Sequence, residues 1–205
     1  GILGEVLEKT KIDRFMENQE ADFSYDFRGE ARLRGNAFFQ KGLINIAFRL
    51  LPKIKTLAEL HLPSALADLT RKKQGFFLVV GPVGQGKSTT ISAMINLINN
   101  EQTRHIITIE DPIEYLFVPN KSIINQREVG IDTKDFHIAL KSVFREDVNV
   151  IMIGEMRTPE TIATAVTAAE TGHLVFSTLH TNNAAQTIDR IIDSFPGGQQ
   201  DQIRA

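Results

Sequence analysis

The sequence predicts an α/β fold built on a mostly parallel sheet, with part of a smaller α+β unit ahead of it. Three observations carry this. From about residue 64 onward, short apolar runs alternate with helical stretches. One such run, 76–80, leads into a glycine-rich loop and then an unbroken helical stretch. Before residue 50, aromatic and polar residues alternate at the two-residue period of a half-buried strand.

The elements follow in order. Ile2, Val6 and Leu7 begin a helical apolar stripe that Phe15 extends. Phe23, Tyr25 and Phe27 alternate with Ser24 and Asp26, as in a strand. Gly29 permits a turn, and residues 31–39 and 43–49 are further strands with Gly42 between them. Residues 51–62 are a connector punctuated by Pro52 and Pro63. After the strand at 76–80 comes a helix at 88–97 and a buried strand at 106–109. A helix at 134–145 carries Phe136, Leu140 and Phe144 on one face. A strand at 150–153, a helix at 160–169, a strand at 174–177 and a helix at 184–193 complete the alternation. Such βαβ alternation builds parallel sheets covered by helices. The predicted boundaries are 1–52 for the first unit, 53–63 for a linker and 64–205 for the core.

Composition narrows the function. A chain of 205 residues, 42% hydrophobic, supports one good core or one domain with part of another. The net charge of −2 gives no sign of an electrostatic nucleic-acid binder. Without cysteine, disulfides and cysteine-based zinc sites are excluded within this stretch. No apolar run approaches the roughly 20 residues of a membrane span. The start, GILGEVLEKTKIDRF, is charged and helical in pattern, unlike a signal peptide. The expectation is a soluble, cytoplasmic protein with no nucleic-acid partner and no direct membrane insertion.

The chemistry begins with GPVGQGKS at 81–88, which fits GxxxxGK[ST] in full between a predicted strand and a predicted helix. Gly81, Gly84 and Gly86 let the backbone curl until its N–H groups point inward at phosphate oxygens. The helix N-terminus adds partial positive charge. Lys87 is expected to reach the β- and γ-phosphates of ATP, and the Ser88 hydroxyl to ligate Mg²⁺, with Thr89 next in the loop. The bland alternative is a glycine turn that merely joins strand to helix.

Hydrolysis needs more than binding: a group that handles water, and charge that steadies the leaving γ-phosphate. Two acidic clusters lie at predicted C-terminal strand ends, where open α/β sheets bind ligands. In IEDPIE at 109–114, Pro112 ends the strand geometry, so Glu110, Asp111 and Glu114 are expected to project from a loop. In IMIGE at 151–155, an apolar strand leads through Gly154 to Glu155, as in a Walker B strand, with its carboxylate near Mg²⁺ through water. Each cluster alone reads equally well as a solvated loop; a phosphate loop in the same sheet favours the functional reading. His173 opens the next strand and His180 follows its end. A lone histidine is more often structural, yet Thr178 and His180 lie where a γ-phosphate sensor belongs.

Together these segments resemble the secretion ATPase superfamily, the motors of type II secretion and type IV pili. Its four boxes appear in order as GPVGQGKSTT (81–90), ITIEDPIEYL (107–116), IMIGEMR (151–157) and TGHLVFSTLHT (171–181), with NQREVG at 125–130. The resemblance implies a RecA-like ATPase core preceded by part of a PAS-like domain. It implies Glu114 as the catalytic glutamate that activates water, Glu155 as the Walker B glutamate, and His180 as the histidine-box residue with His173 beside it. Arg34 and Arg49 match a pair that the N-terminal domain turns toward the nucleotide; without the resemblance they read as ordinary surface charge. GEMR at 154–157 and AAQTIDRIIDSFP at 184–196 point to the pilus-retraction branch over the assembly and secretion branches. The implied partners are further copies in a homohexamer and an inner-membrane platform protein, with the ring peripheral at the inner face of the cytoplasmic membrane. The chain departs from the pattern in reading REDVN at 145–149 where the family carries a REDPD-like segment. By the resemblance it also starts inside the N-terminal domain and stops before later helices, as a fragment does. Two other classes remain: an accessory nucleotide-binding ring subunit with weak turnover, which an intact Glu114 disfavours, and a small-molecule P-loop kinase, for which no acceptor site is visible.

Overall fold

A computed structural model describes residues 9–28, 31–181, 183–198 and 200. Ile2, Val6, Leu7 and the turn expected at Gly29 lie outside the described residues. The chain divides into two compact units, 1–53 and 54–205.

The first unit comprises α1 (Lys9–Asn18), β1 (Glu20–Phe27), β2 (Ala31–Gln40) and β3 (Leu43–Leu50). The strands form an antiparallel sheet in the order β1-β2-β3. The alternation in β1 turns Phe23 inward, onto a small core with Phe15 of α1 and Ala37 of β2. Phe15 stacks on Phe39 with ring centroids 5.1 Å apart. Gly35 is required opposite Phe23, because a Cβ there would fall 2.2 Å from the ring. Phe27 does not continue the buried face; it is half-exposed at the strand end.

The second unit runs α2 (Ala65–Thr70), β4 (Gly75–Val80), α3 (Lys87–Glu101), β5 (His105–Glu110), β6 (Ile123–Glu128), α4 (Phe136–Val143), β7 (Val150–Ile153), α5 (Pro159–Glu170), β8 (Leu174–Leu179) and α6 (Ala184–Asp193). All five strands are parallel, in the order β4-β8-β7-β5-β6. Successive residues of the central strands feed opposite faces. Ile107, Ile109, Ile151, Ile153 and Val175 pack under α4 and α5. Ile106, Val150, Met152 and Phe176 pack under α3, with Ile54, Leu57, Leu66 and Leu69 beside them. Near-continuous apolar strands of this kind are what a sheet buried on both faces demands. Among the described residues no helix is long and apolar enough to cross a membrane.

Two expectations needed correction. The helix expected over 134–145 spans only Phe136–Val143, and Phe144 is not on its buried face. Phe144 sits at the C-cap, 40% exposed, edge-on to His173. Neither β6 nor α2 was expected.

Candidate active site

Because all five strands run the same way, the ends of β4, β5, β7 and β8 open at one edge of the sheet. The phosphate-loop motif leaves β4 at that edge and enters α3. Gly84 and Gly86 take φ of +82° and +79°, and a Cβ there would meet nothing within 4 Å. It is therefore left-handed backbone, and not lack of space, that calls for glycine. Gly86 is the N-cap of α3 and supplies no side-chain oxygen. By contrast, Asp135 accepts from Ile138 N–H at α4, Thr158 from Thr161 N–H at α5, and Asn183 from Gln186 N–H at α6. The first N–H groups of α3 lack such a cap, where a helix has donors to spare. Lys87 is 8% exposed and donates from Nζ to the carbonyls of Gly81 and Pro82, each at 2.8 Å. Both acceptors are neutral carbonyls, so neither offsets the attraction of the ammonium for an anion. Uncapped amides, this ammonium and the half-buried Ser88 beside it form a donor set that fits a polyphosphate carrying Mg²⁺. Thr89 shares a 2.8 Å hydrogen bond with the Tyr115 hydroxyl, tying the loop's helix to the acidic segment.

In that segment the structure corrects one expectation. Glu110 does not project from a loop; β5 continues through it and leaves it 4% exposed. Thr108 Oγ1 donates to its Oε1 at 2.6 Å and Gln126 Nε2 at 3.2 Å. Burial pushes its carboxyl up from 4.5 to about 7, against the pull of Thr108, Gln126 and the Glu114 amide; the Glu114 charge pushes with burial. Asp111 and Glu114 do project, and both are exposed. The linkage has a definite sign. Between 4.5 and 7 the native protein keeps a proton that the unfolded chain has lost, so stability falls as pH rises through this window. The loss is about 3 kcal/mol once pH exceeds 7. Denaturant unfolding at stepped pH is expected to show this fall in the wild type and not in Glu110→Gln. Equal slopes in the two proteins would contradict a buried acid at this position.

At the end of β7, Gly154 packs closely against β5: a Cβ there would lie 3.4 Å from Glu110 Cα. Glu155 follows with its side chain 18% exposed, bonded to Arg157 and 3.6 Å from His180 Nε2. Arg157 also reaches Asp111 at 3.5 Å, so Asp111, Arg157, Glu155 and His180 form one chain of side-chain contacts across three strand ends. Thr178 is buried, and its hydroxyl donates to Gly154 O at 2.6 Å. That fastens β8 to β7, which is a structural duty and not that of an open sensor. His173 is not brought to the site. It precedes β8 at the opposite edge, its Nδ1 2.9 Å from Ala168 O near the end of α5. Arg34 and Arg49 face each other across β2 and β3 of the first unit, Arg34 within 3.7 Å of Asp22. Sequence reasoning missed Tyr115, Gln126 and Arg157; for Gln126 the only signal was the NQREVG segment.

This chain matches the family described as Type II/IV secretion system protein over residues 59–204. It is 50% identical over 192 residues to a twitching motility protein of Neisseria gonorrhoeae, covering 93% of this chain and 51% of that protein. It is 48% identical over 192 residues to the Type IV pilus retractation ATPase PilT of Pseudomonas aeruginosa, covering 93% of this chain and 56% of that protein. A crystal structure of the pilus retraction motor PilT with bound ADP superposes with a TM-score of 0.92 at 52% identity, covering 99% of this chain and 60% of that one. The chain thus spans little more than half the length of these relatives. With each of the four boxes bringing residues to one sheet edge, and the family match covering well over half of its residues, the chain belongs to the Type II/IV secretion system protein family.

Proposed function

We propose that this chain is the nucleotide-hydrolysing part of a ring motor that uses ATP and Mg²⁺ to drive retraction of type IV pili, the movement behind twitching. The observation that carries it is the gathering at one sheet edge of an uncapped phosphate loop and two carboxylates in unlike settings. Glu114 is exposed on its loop, while Glu155 is held by Arg157 and His180. On this reading the amides at Gly81, Gly84 and Gly86 and the ammonium of Lys87 hold the β- and γ-phosphates. Ser88, with Glu155 through water, holds Mg²⁺, and Thr89 steadies the start of the helix. When bound, the ion neutralises charge on the phosphate oxygens. Glu114 takes the proton of the attacking water, and His180 faces the γ-phosphate from the end of β8.

The first unit is read as part of a PAS-like domain (1–52) joined by a linker (53–63) to the core. Like charges directly opposite on neighbouring strands are unfavourable. The Arg34–Arg49 pair therefore supports a role in receiving an anion, such as the γ-phosphate, within a homohexamer. The ring would act on an inner-membrane platform protein from the cytoplasmic face. The test supplies the intact protein to a bacterium that assembles pili but lacks its own retraction motor. Twitching is expected to return, and to stay absent with Glu114→Gln. Restored assembly in a strain lacking its assembly motor, with no effect on retraction, would instead make the protein an assembly or secretion ATPase. Retraction supported equally by Glu114→Gln would make it an accessory subunit.

A further inference from the structure

The segment between β5 and β6, residues 111–122, forms no regular structure, so its backbone groups have no ladder to join. It nevertheless carries Glu114. Partners come from the strand that follows it. Glu128 of β6 accepts from the Ile113 amide at 3.0 Å. Gln126 of β6 accepts from the Phe117 amide at 2.9 Å and donates to the Tyr115 carbonyl at 2.8 Å. The same Gln126 amide donates to Glu110 Oε1 at 3.2 Å, and the backbone amide of Glu114 lies close enough to pull the Glu110 carboxyl downward.

We propose that Gln126 is a positioning residue for Glu114, acting through the buried carboxyl of Glu110 and the backbone of Tyr115 and Phe117. The side-chain type is specific to the task. One carboxamide must accept from one backbone group and donate to two others at once, and of the side chains of this length only glutamine does both. Glutamate at this position would lose both donors and set a second carboxylate against Glu110. The bonds hold the backbone on both sides of Glu114, at Ile113 before it and at Tyr115 and Phe117 after it, while Glu114 itself is exposed. Such fixing matters because displacement of a catalytic group by about 1 Å costs up to about 100-fold in rate. Gln126 itself is placed on β6, two strands from β7 and four from β4 in the sheet order, and so acts without touching the phosphate loop.

The proposal rests on Glu114 being the group that activates water, and a double-mutant cycle in the intact protein separates the two. Turnover, KM for ATP and affinity for a non-hydrolysable ATP analogue are measured for wild type, Gln126→Ala, Glu114→Gln and the double variant. Gln126→Ala is expected to lower kcat by roughly 10- to 100-fold, with KM and analogue affinity within about threefold of wild type. In the Glu114→Gln background the same substitution is expected to change kcat by less than about twofold, since groups acting as one unit are not additive. Wild-type kcat in Gln126→Ala, with Glu114→Gln impaired, overturns the positioning role alone. An equal further loss in the double variant overturns it too, because Gln126 would then act on the fold at large. Near-wild-type turnover in Glu114→Gln overturns the water-activating reading and the positioning role with it. Should Gln126→Ala not fold, Thr108→Val enters the same cycle. It removes the 2.6 Å donor to Glu110 at nearly constant volume, and Thr108→Ser, which keeps the hydroxyl, is expected to restore kcat.

Discussion

Lys87→Ala is expected to abolish ATP binding at concentrations that saturate the wild type, and turnover with it. The Lys87 ammonium is buried at the base of the loop and rests on two neutral carbonyls, and among the described residues no carboxylate pairs with it. A charge-assisted bond from such a group to a phosphate oxygen is about twice as strong as a neutral one, and it is made away from bulk water. The substitution also leaves the carbonyls of Gly81 and Pro82 without their shared donor, which loosens the turn that aims the amides. Binding is checked by titration with a fluorescent ATP analogue and the fold by thermal melting. Wild-type affinity in a folded Lys87→Ala protein would remove the phosphate-loop assignment.

Glu114→Gln is expected to leave ATP bound and to lower turnover by roughly 10²-fold or more, the usual contribution of a positioned general base. The substitution keeps shape and hydrogen-bonding capacity and removes basicity. Glu114 is exposed on its loop, so the amide enters without a burial cost, and the backbone bonds that hold the loop are untouched. Glu155→Gln is expected to act differently, weakening the response to Mg²⁺, because Glu155 is already shared between Arg157 and His180. Near-wild-type turnover in Glu114→Gln with none in Glu155→Gln would exchange the two roles.

The parallel sheet was legible because its strands are buried on both faces. Val150–Ile153 stands out as four apolar residues between Asn149 and Gly154, and β7 has those limits. Helix α6 was equally clear, since Asn183 caps it. Strand β6 was not, because IINQRE spends four of its six side chains on polar contacts: Asn125 with His105, Gln126 and Glu128 with the acidic loop, Arg127 with Glu146. A search for apolar runs passes over a strand whose task is to hold a neighbouring loop. Glu110 misled for a related reason. Pro112 marks the end of pairing, but the pairing lasts through Glu110, which partners Glu128 across the sheet and packs against Gly154. His173 and His180 look like neighbours in the sequence, yet a strand rises about 3.3 Å per residue and sets them roughly 20 Å apart at opposite edges. Thr178 lay at the expected place, and only its hydrogen bond to Gly154 reveals that its hydroxyl is already used.

The central claim is that this sheet edge hydrolyses ATP through Glu114. Phosphate release by the intact protein, followed for wild type and Glu114→Gln over a wide range of protein concentration, tests it most directly. With ATP and Mg²⁺ saturating, wild-type release per subunit is expected to rise steeply with protein concentration, while Glu114→Gln stays lower by roughly 10²-fold or more throughout with its ATP still bound. Equal release by the two proteins across that range would contradict the account.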